Sequence, residues 1–267
     1  MKNQNPIGVF DSGLGGLTVV KAMRSVLPNE SIVYFGDTAR VPFGNKSPEL
    51  IKEYSLQITD FLLEQKTKII VVACNTATAL ALETLQYKLD IPVIGVVKPG
   101  VDSALNLTQN NRIGVIGTIS TINSGVYDTE LRAINHSAEV TSTPCPLFVP
   151  LAEEGWINEP ATRLIAEKYL EPINKANVDT LILGCTHYPL FKEVIQEVIS
   201  YKIKLVDSAQ AMAVETAELL TNNELLNSQI TKGGLKLFVS DLPARFETVA
   251  RRFLGEKISN VEKIQLG

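Results

Sequence analysis

The chain has 267 residues, of which 45% are apolar and 20% charged, and its formal net charge is −4. That length holds one large domain or two small ones, and the apolar share excludes a disordered chain. The mild negative charge, without a Lys/Arg-rich run, argues against a dedicated nucleic-acid binder.

Short Val/Ile-rich runs recur along the chain, each ending in a small or polar residue. In order they are IGVF before Asp11, SIVYF before Gly36-Asp37, KIIVVA before Cys74, PVIGVV before Lys98, RIGVI before Gly117-Thr118, TLILG before Cys185, KLV before Asp207 and LKLFV before Ser240-Asp241. Runs this short and β-branched are predicted to be buried strands. The longer segments between them, such as SPELIKEYSLQITDFLLEQ and YPLFKEVIQEVIS, repeat apolar residues at three and four and are predicted to be helices. Strand alternating with helix gives an α/β fold with a mostly parallel sheet. Such sheets carry their chemistry just beyond the carboxyl ends of the strands, where the residues ending each run lie. The apolar stretch near the N-terminus is too short for a signal peptide, and no run approaches the roughly 20 apolar residues of a membrane span. A cytoplasmic protein is expected.

Two pairs of segments echo each other. IGVFDSG at 7–13 resembles IGVIGTIS at 113–120, and VVACNTAT at 71–78 resembles LILGCTHYPL at 181–190, with offsets of 106 and 111 residues. Two echoes in the same order at nearly one offset predict a duplicated α/β unit. The expectation is two pseudo-symmetric lobes, each a mostly parallel sheet flanked by helices, with the site in the cleft between them. The joints are expected near Lys98-Pro99-Gly100 and near Asp207, which makes 98–207 the second lobe.

Three corners carry candidate chemistry. The first, Asp11-Ser12-Gly13-Leu14-Gly15-Gly16, is a glycine-rich strand-to-helix turn. It lacks the glycine a dinucleotide fingerprint needs at Thr18 and the Gly-Lys-Ser/Thr ending of a P-loop. It sets a carboxylate and a hydroxyl beside the free N–H groups of a helix start. The second and third corners are Cys74-Asn75-Thr76 and Cys185-Thr186-His187. A lone cysteine at a strand end is most simply a small buried hydrophobe. Two at equivalent places in a duplicated unit point instead to paired thiols, each expected at a helix N-terminus that favours its thiolate. His187 then offers a proton partner to Cys185, and Asp11 the matching one to Cys74.

The other candidates are weaker. Cys145, between prolines and outside both echoes, is expected to be structural, and His136 to lie on the surface. Glu153 and Glu154 are expected to be solvated loop charges, of which one can turn toward the cleft. Three cysteines in a reducing compartment argue against disulfides, and the absence of CxxC argues against a thiol-redox protein. No zinc site and no pyridoxal phosphate are expected, since no Cys/His cluster and no Schiff-base motif occurs.

The segments DSGLGGLTV, DTARVPFG, ACNTAT and GCTHYPL together resemble the glutamate racemase family, the cofactor-independent branch of the amino-acid racemases, over nearly the whole chain. The resemblance implies that Cys74 and Cys185 are the catalytic pair, with Asp11, His187 and Glu153 assisting. It implies substrate contacts from Asp11, Ser12, Phe43, Gly44, Asn75, Thr76, Thr118, Thr121, Thr186 and His187. It also implies that 208–267 returns to the first lobe with 1–97, that the protein is a homodimer, and that its D-glutamate serves peptidoglycan synthesis. Phe43 departs from the family, which usually has tyrosine there. An aspartate racemase of the same plan is the neighbouring alternative, and a two-lobed ligand-binding protein without turnover is the alternative from another class.

Overall fold

The computed structural model describes residues 2–266 except Glu256, Lys257 and Ser259. Of the expected first lobe, positions 1, 256, 257, 259 and 267 therefore lie outside the described residues. The chain opens with β1 (Ile7–Asp11), α1 (Leu17–Val26), β2 (Ile32–Gly36), α2 (Pro48–Glu64), β3 (Ile69–Val72), α3 (Asn75–Lys88), β4 (Val93–Gly95) and α4 (Val97–Leu107). It continues through β5 (Arg112–Gly117), α5 (Ile119–Asn123), α6 (Val126–Ile134), β6 (Glu139–Pro144), α7 (Phe148–Glu154), α8 (Pro160–Lys175) and β7 (Thr180–Gly184). It ends with α9 (Lys192–Val198), β8 (Lys204–Asp207), α10 (Ser208–Asn222), β9 (Leu235–Val239), α11 (Pro243–Leu254) and β10 (Val261–Lys263).

Two sheets result, in the strand orders β10-β9-β2-β1-β3-β4 and β6-β5-β7-β8, and every pairing among the described strands is parallel. The central strands β1, β2, β3 and β7 are buried along their whole length, as a parallel sheet covered on both faces demands. Local signals agree with this layout. Ser47 caps α2 by accepting the Leu50 N–H at 3.4 Å, and Pro48 fills the first helical position, where its missing N–H costs nothing.

The order β2-β1-β3-β4 recurs as β6-β5-β7-β8. The register recurs with it: Ile7 faces Ile69 in the first sheet, and Ile113 faces Thr180 in the second. The chain leaves the first sheet through α4 after β4 and comes back through α10 after β8. These two helices occupy equivalent places and pack on each other, and α10 also packs on α1. Phe246, Val249 and Ala250 of α11 join the same core as Leu17 and Val20 of α1.

The structure departs from the sequence reading at three places. Strands β6 and β10 were not expected: EVTSTP and VEK lack an apolar run because they are partly exposed outer strands. The PVIGVV run stops as strand at Gly95, and Val97 already belongs to α4, so Lys98 stands in a helix rather than at a strand end. Glu153 and Glu154 lie on α7 rather than in a loop.

A buried ion pair pins the returning chain to the bottom of the first sheet. Lys68 Nζ reaches Glu30 Oε2 at 2.6 Å and also donates to the carbonyls of Asn3 and Leu225, each at 2.8 Å. Glu30 Oε1 accepts the Asn227 N–H at 2.7 Å. Removing one partner of such a pair leaves the other charge buried and uncompensated. Lys68→Ala should therefore lower the unfolding free energy by about 3–5 kcal/mol. Urea denaturation measures this, and a loss under about 1 kcal/mol would show that water repairs the site.

Candidate active site

Four strand ends converge between the sheets. Asp11 closes β1, Cys74 follows β3, Thr118 follows β5 and Cys185 follows β7. Around them lies a cavity of about 320 Å³. Both sulfurs line it, with Ser12, Phe43, Gly44, Asn75, Thr76, Thr118, Glu153, Thr186 and His187. Asp11 and Thr121 stand behind the wall, both buried. Cys145 is buried away from the cavity, its thiol facing the Thr143 carbonyl at 3.6 Å, and His136 is exposed in the turn after α6.

The glycine-rich corner is shaped by how closely it meets the opposite lobe. A Cβ on Gly15 would fall 2.5 Å from His187 Nδ1 and collide with the Thr186 hydroxyl, so only glycine fits. Asp11 turns back into this corner. Its Oδ2 accepts the Gly13 N–H at 3.0 Å, and its Oδ1 accepts the Thr186 hydroxyl at 3.3 Å. Burial raises the Asp11 carboxyl above its ordinary range, against the lowering effects of the His187 charge, the Gly16 and Gly13 N–H groups and Thr186.

The two cysteines stand in different surroundings. Cys74 is the N-cap of α3, a 14-residue helix. Burial nevertheless pushes its thiol up to about 12, helped by the Asp11 and Cys185 charges and opposed by the Ala77 N–H and the Ser12 hydroxyl. The expected lowering by the helix end is thus outweighed by desolvation in the closed site. Cys185 is not at an α-helix N-terminus at all. A turn and a short 3-10 helix (Tyr188–Phe191) follow it. It stands beside His187 instead, with Nδ1 4.0 Å from the sulfur. Nε2 of the same ring is 3.3 Å from Glu153 Oε1 on α7. Burial alone lowers His187, but its hydrogen bonds to Cys185 and Glu153 and the charges of Cys185 and Asp11 together push it up to about 10. The ring is also held edge-on by Phe253, with centroids 5.3 Å apart.

A hydroxyl cluster joins the lobes at the other wall. Thr76, Thr118 and Thr121 lie within hydrogen-bond reach of one another, at 2.9, 3.1 and 2.9 Å. Thr118 caps α5, and Ser120 donates to the Gly44 carbonyl at 2.7 Å, tying the Phe43–Gly44 turn to the second lobe. Phe43 is buried against Tyr54 with ring centroids 5.9 Å apart, so its phenyl packs within the first lobe. The mouth is walled by Val41, Pro42, Pro146, Leu147, Val149 and Pro150, none of which the sequence marks by chemical type. Tyr127 was missed too. It is buried on α6, and its hydroxyl donates to Asn75 Oδ1 at 2.6 Å.

Among the described residues no group of three or more His, Cys, Asp or Glu is arranged to hold a metal ion, and no helix is long and apolar enough to cross a membrane. The chemistry available is that of two cysteines lining one cavity. One stands beside a buried carboxyl, and the other beside an imidazole backed by a carboxylate.

A family model described as Asp/Glu/Hydantoin racemase matches residues 10–216. The chain is 52% identical over 260 residues to a glutamate racemase of Geobacter metallireducens, covering 97% of this chain and 96% of that one. It is 48% identical over 265 residues to a glutamate racemase of Chlorobaculum tepidum, covering 99% and 97%. Its fold matches the crystal structure of glutamate racemase from Francisella tularensis in complex with D-glutamate, with a TM-score of 0.93, 41% identity and coverage of 99% and 98%.

The position of Cys74 has a chemical readout. A thiol held near 12 stays protonated, and only the thiolate alkylates. The iodoacetamide reaction at Cys74 in the ligand-free protein, followed by peptide mass spectrometry, should climb about tenfold per pH unit through pH 10. A plateau below pH 9 would mean that the helix end outweighs burial after all.

Proposed function

The chain belongs to the Asp/Glu/Hydantoin racemase family, and on that premise we propose that it interconverts L- and D-glutamate with two cysteines as alternating base and acid. The observation that supports this most directly is that sulfurs from both lobes line one cavity. Inverting Cα means taking a proton from one face and returning one to the other, which two opposed groups do without moving the substrate. With L-glutamate, the Cys185 thiolate takes the Cα proton. The electron pair left on carbon spreads into the α-carboxylate, and the Cys74 thiol gives its proton to the opposite face. With D-glutamate the roles reverse.

The raised Cys74 supports its part as the acid in the first direction. His187, raised to about 10, is an imidazolium at neutral pH and directs an N–H at Cys185, while Glu153 holds its far nitrogen. Asp11 stands in the matching place for Cys74. Ser12, Asn75, Thr76, Thr118, Thr121, Thr186 and the Phe43–Gly44 turn supply hydroxyl, amide and backbone groups for the two carboxylates and the ammonium. Fixed donors lining the cavity stabilise the carbanion-like state without a metal or pyridoxal phosphate. If the contact at Phe43 is made by backbone, the tyrosine usual in the family is dispensable here.

The lobes are assigned as 1–97 with 208–267, and 98–207. Support comes from the sheets: every strand of the larger one lies outside 98–207, and every strand of the smaller one inside it. Family resemblance supports a cytoplasmic homodimer whose product enters peptidoglycan.

Circular dichroism of L- or D-glutamate incubated with the pure protein tests the activity, and should show racemisation that survives a metal chelator. Cys74→Ser and Cys185→Ser should each lose about 10²–10⁴-fold, the usual contribution of a positioned acid or base, and Cys145→Ser should stay near the parent rate. Glutamate should exceed aspartate by at least about tenfold in kcat/KM, the worth of one methylene in a fitted pocket. Equal turnover of aspartate would move the assignment to the neighbouring racemase.

A further inference from the structure

The carboxamide of Asn75 can serve a carboxylate only if it presents its NH₂ to the cavity. Rotating it by half a turn presents an oxygen instead, which repels the same ligand. Asn75 is the first residue of α3, so the helix fixes its backbone but leaves the last side-chain torsion free. One group sets that torsion. The Tyr127 hydroxyl donates to Asn75 Oδ1 at 2.6 Å, which turns Nδ2 the other way. Burial and the Cys185 charge raise the phenol above its ordinary range, against the moderating Ser208 hydroxyl, which favours its protonated, donating form.

Tyr127 is itself buried. Its ring packs against the backbone of Gly184, the residue before Cys185, where a Cβ would lie 3.0 Å from Cε2. The same side chain therefore touches the neighbour of each cysteine: Gly184 by its ring and Asn75 by its hydroxyl. Asn75 belongs to the first sheet's helices and Tyr127 to the second's, so the bond also spans the cleft.

We propose that Tyr127 is a positioning residue for substrate binding, acting through Asn75: it locks the carboxamide with Nδ2 toward the substrate and does so only when the two lobes are together. This rests on the reading above that Asn75 holds a substrate carboxylate.

A double-mutant cycle read by steady-state kinetics and thermal unfolding tests it. Tyr127→Phe keeps the ring and removes only the hydroxyl. It should raise KM for both glutamate enantiomers about tenfold and leave kcat within about threefold, since the lost interaction serves ground state and transition state alike. Asn75→Ala should raise KM at least as much. Adding Tyr127→Phe to Asn75→Ala should change KM by less than about twofold, because the group it positioned is gone. Its effect on Tm is measured separately in both backgrounds. If Tyr127→Phe raises KM equally with and without Asn75, or lowers kcat while KM holds, the phenol does not act through the carboxamide and the proposal is wrong. If Asn75→Ala alone leaves KM unchanged, the substrate role of Asn75 fails and the proposal fails with it.

Discussion

The backbone at Gly15 runs against Thr186 and His187 with no room for a methyl group, and the rest of the site follows from that approach. It sets the carboxyl of Asp11 beside the Thr186 hydroxyl, in a cleft where both cysteines are largely buried. Burial has two opposed effects. It strengthens every fixed donor around the cavity, because the local dielectric falls. It also makes an isolated thiolate expensive, which is why Cys74 rises despite the helix end behind it. The two sulfurs thus differ in what surrounds them, Cys74 lying beside Asp11 at a helix end and Cys185 beside His187, although the strands that carry them match.

That near-sameness is confined to the sheets. The strand order repeats and the register repeats, yet Cys74 after β3 caps a full α-helix, while Cys185 after β7 is followed by a turn and a 3-10 helix before α9. The second lobe lacks the helix end and has the His187–Glu153 pair in its place. The two cysteines therefore stand in chemically unlike surroundings although their sheets repeat.

Much of this was legible in the residues. A Val/Ile run that stops at Asp11, Cys74, Thr118 or Cys185 declares both a buried parallel strand and the polar residue placed at its end, and the structure gathers those ends around one cavity. What was not legible depends on contacts between segments distant in the chain. The partly exposed strands β6 and β10 carry no apolar run because they have little to bury. Pro146, Leu147, Val149 and Pro150 form the wall at the mouth only because α7 is folded over the cleft, and in the sequence they are ordinary apolar residues. Tyr127 has the composition of a core aromatic, and only its distance from Asn75 distinguishes it. The direction of the Cys74 shift was likewise hidden, since it is set by how much water the opposing lobe removes.

The parallel pairing of β2 with β9 has a consequence for the newborn chain. Ile32 and Leu235 are partners, and Ser240 closes onto Asp37 across 203 residues. While the ribosome is still making the inserted segment, β2 stands with one unsatisfied edge of Val33, Tyr34 and Phe35, apolar and able to pair with another chain. The inserted segment is contiguous and has no such wait, since its four strands are all made by Asp207. The half of the protein that begins first is therefore the half that closes last, and its open edge is the interval in which a crowded cell has to keep sibling chains apart.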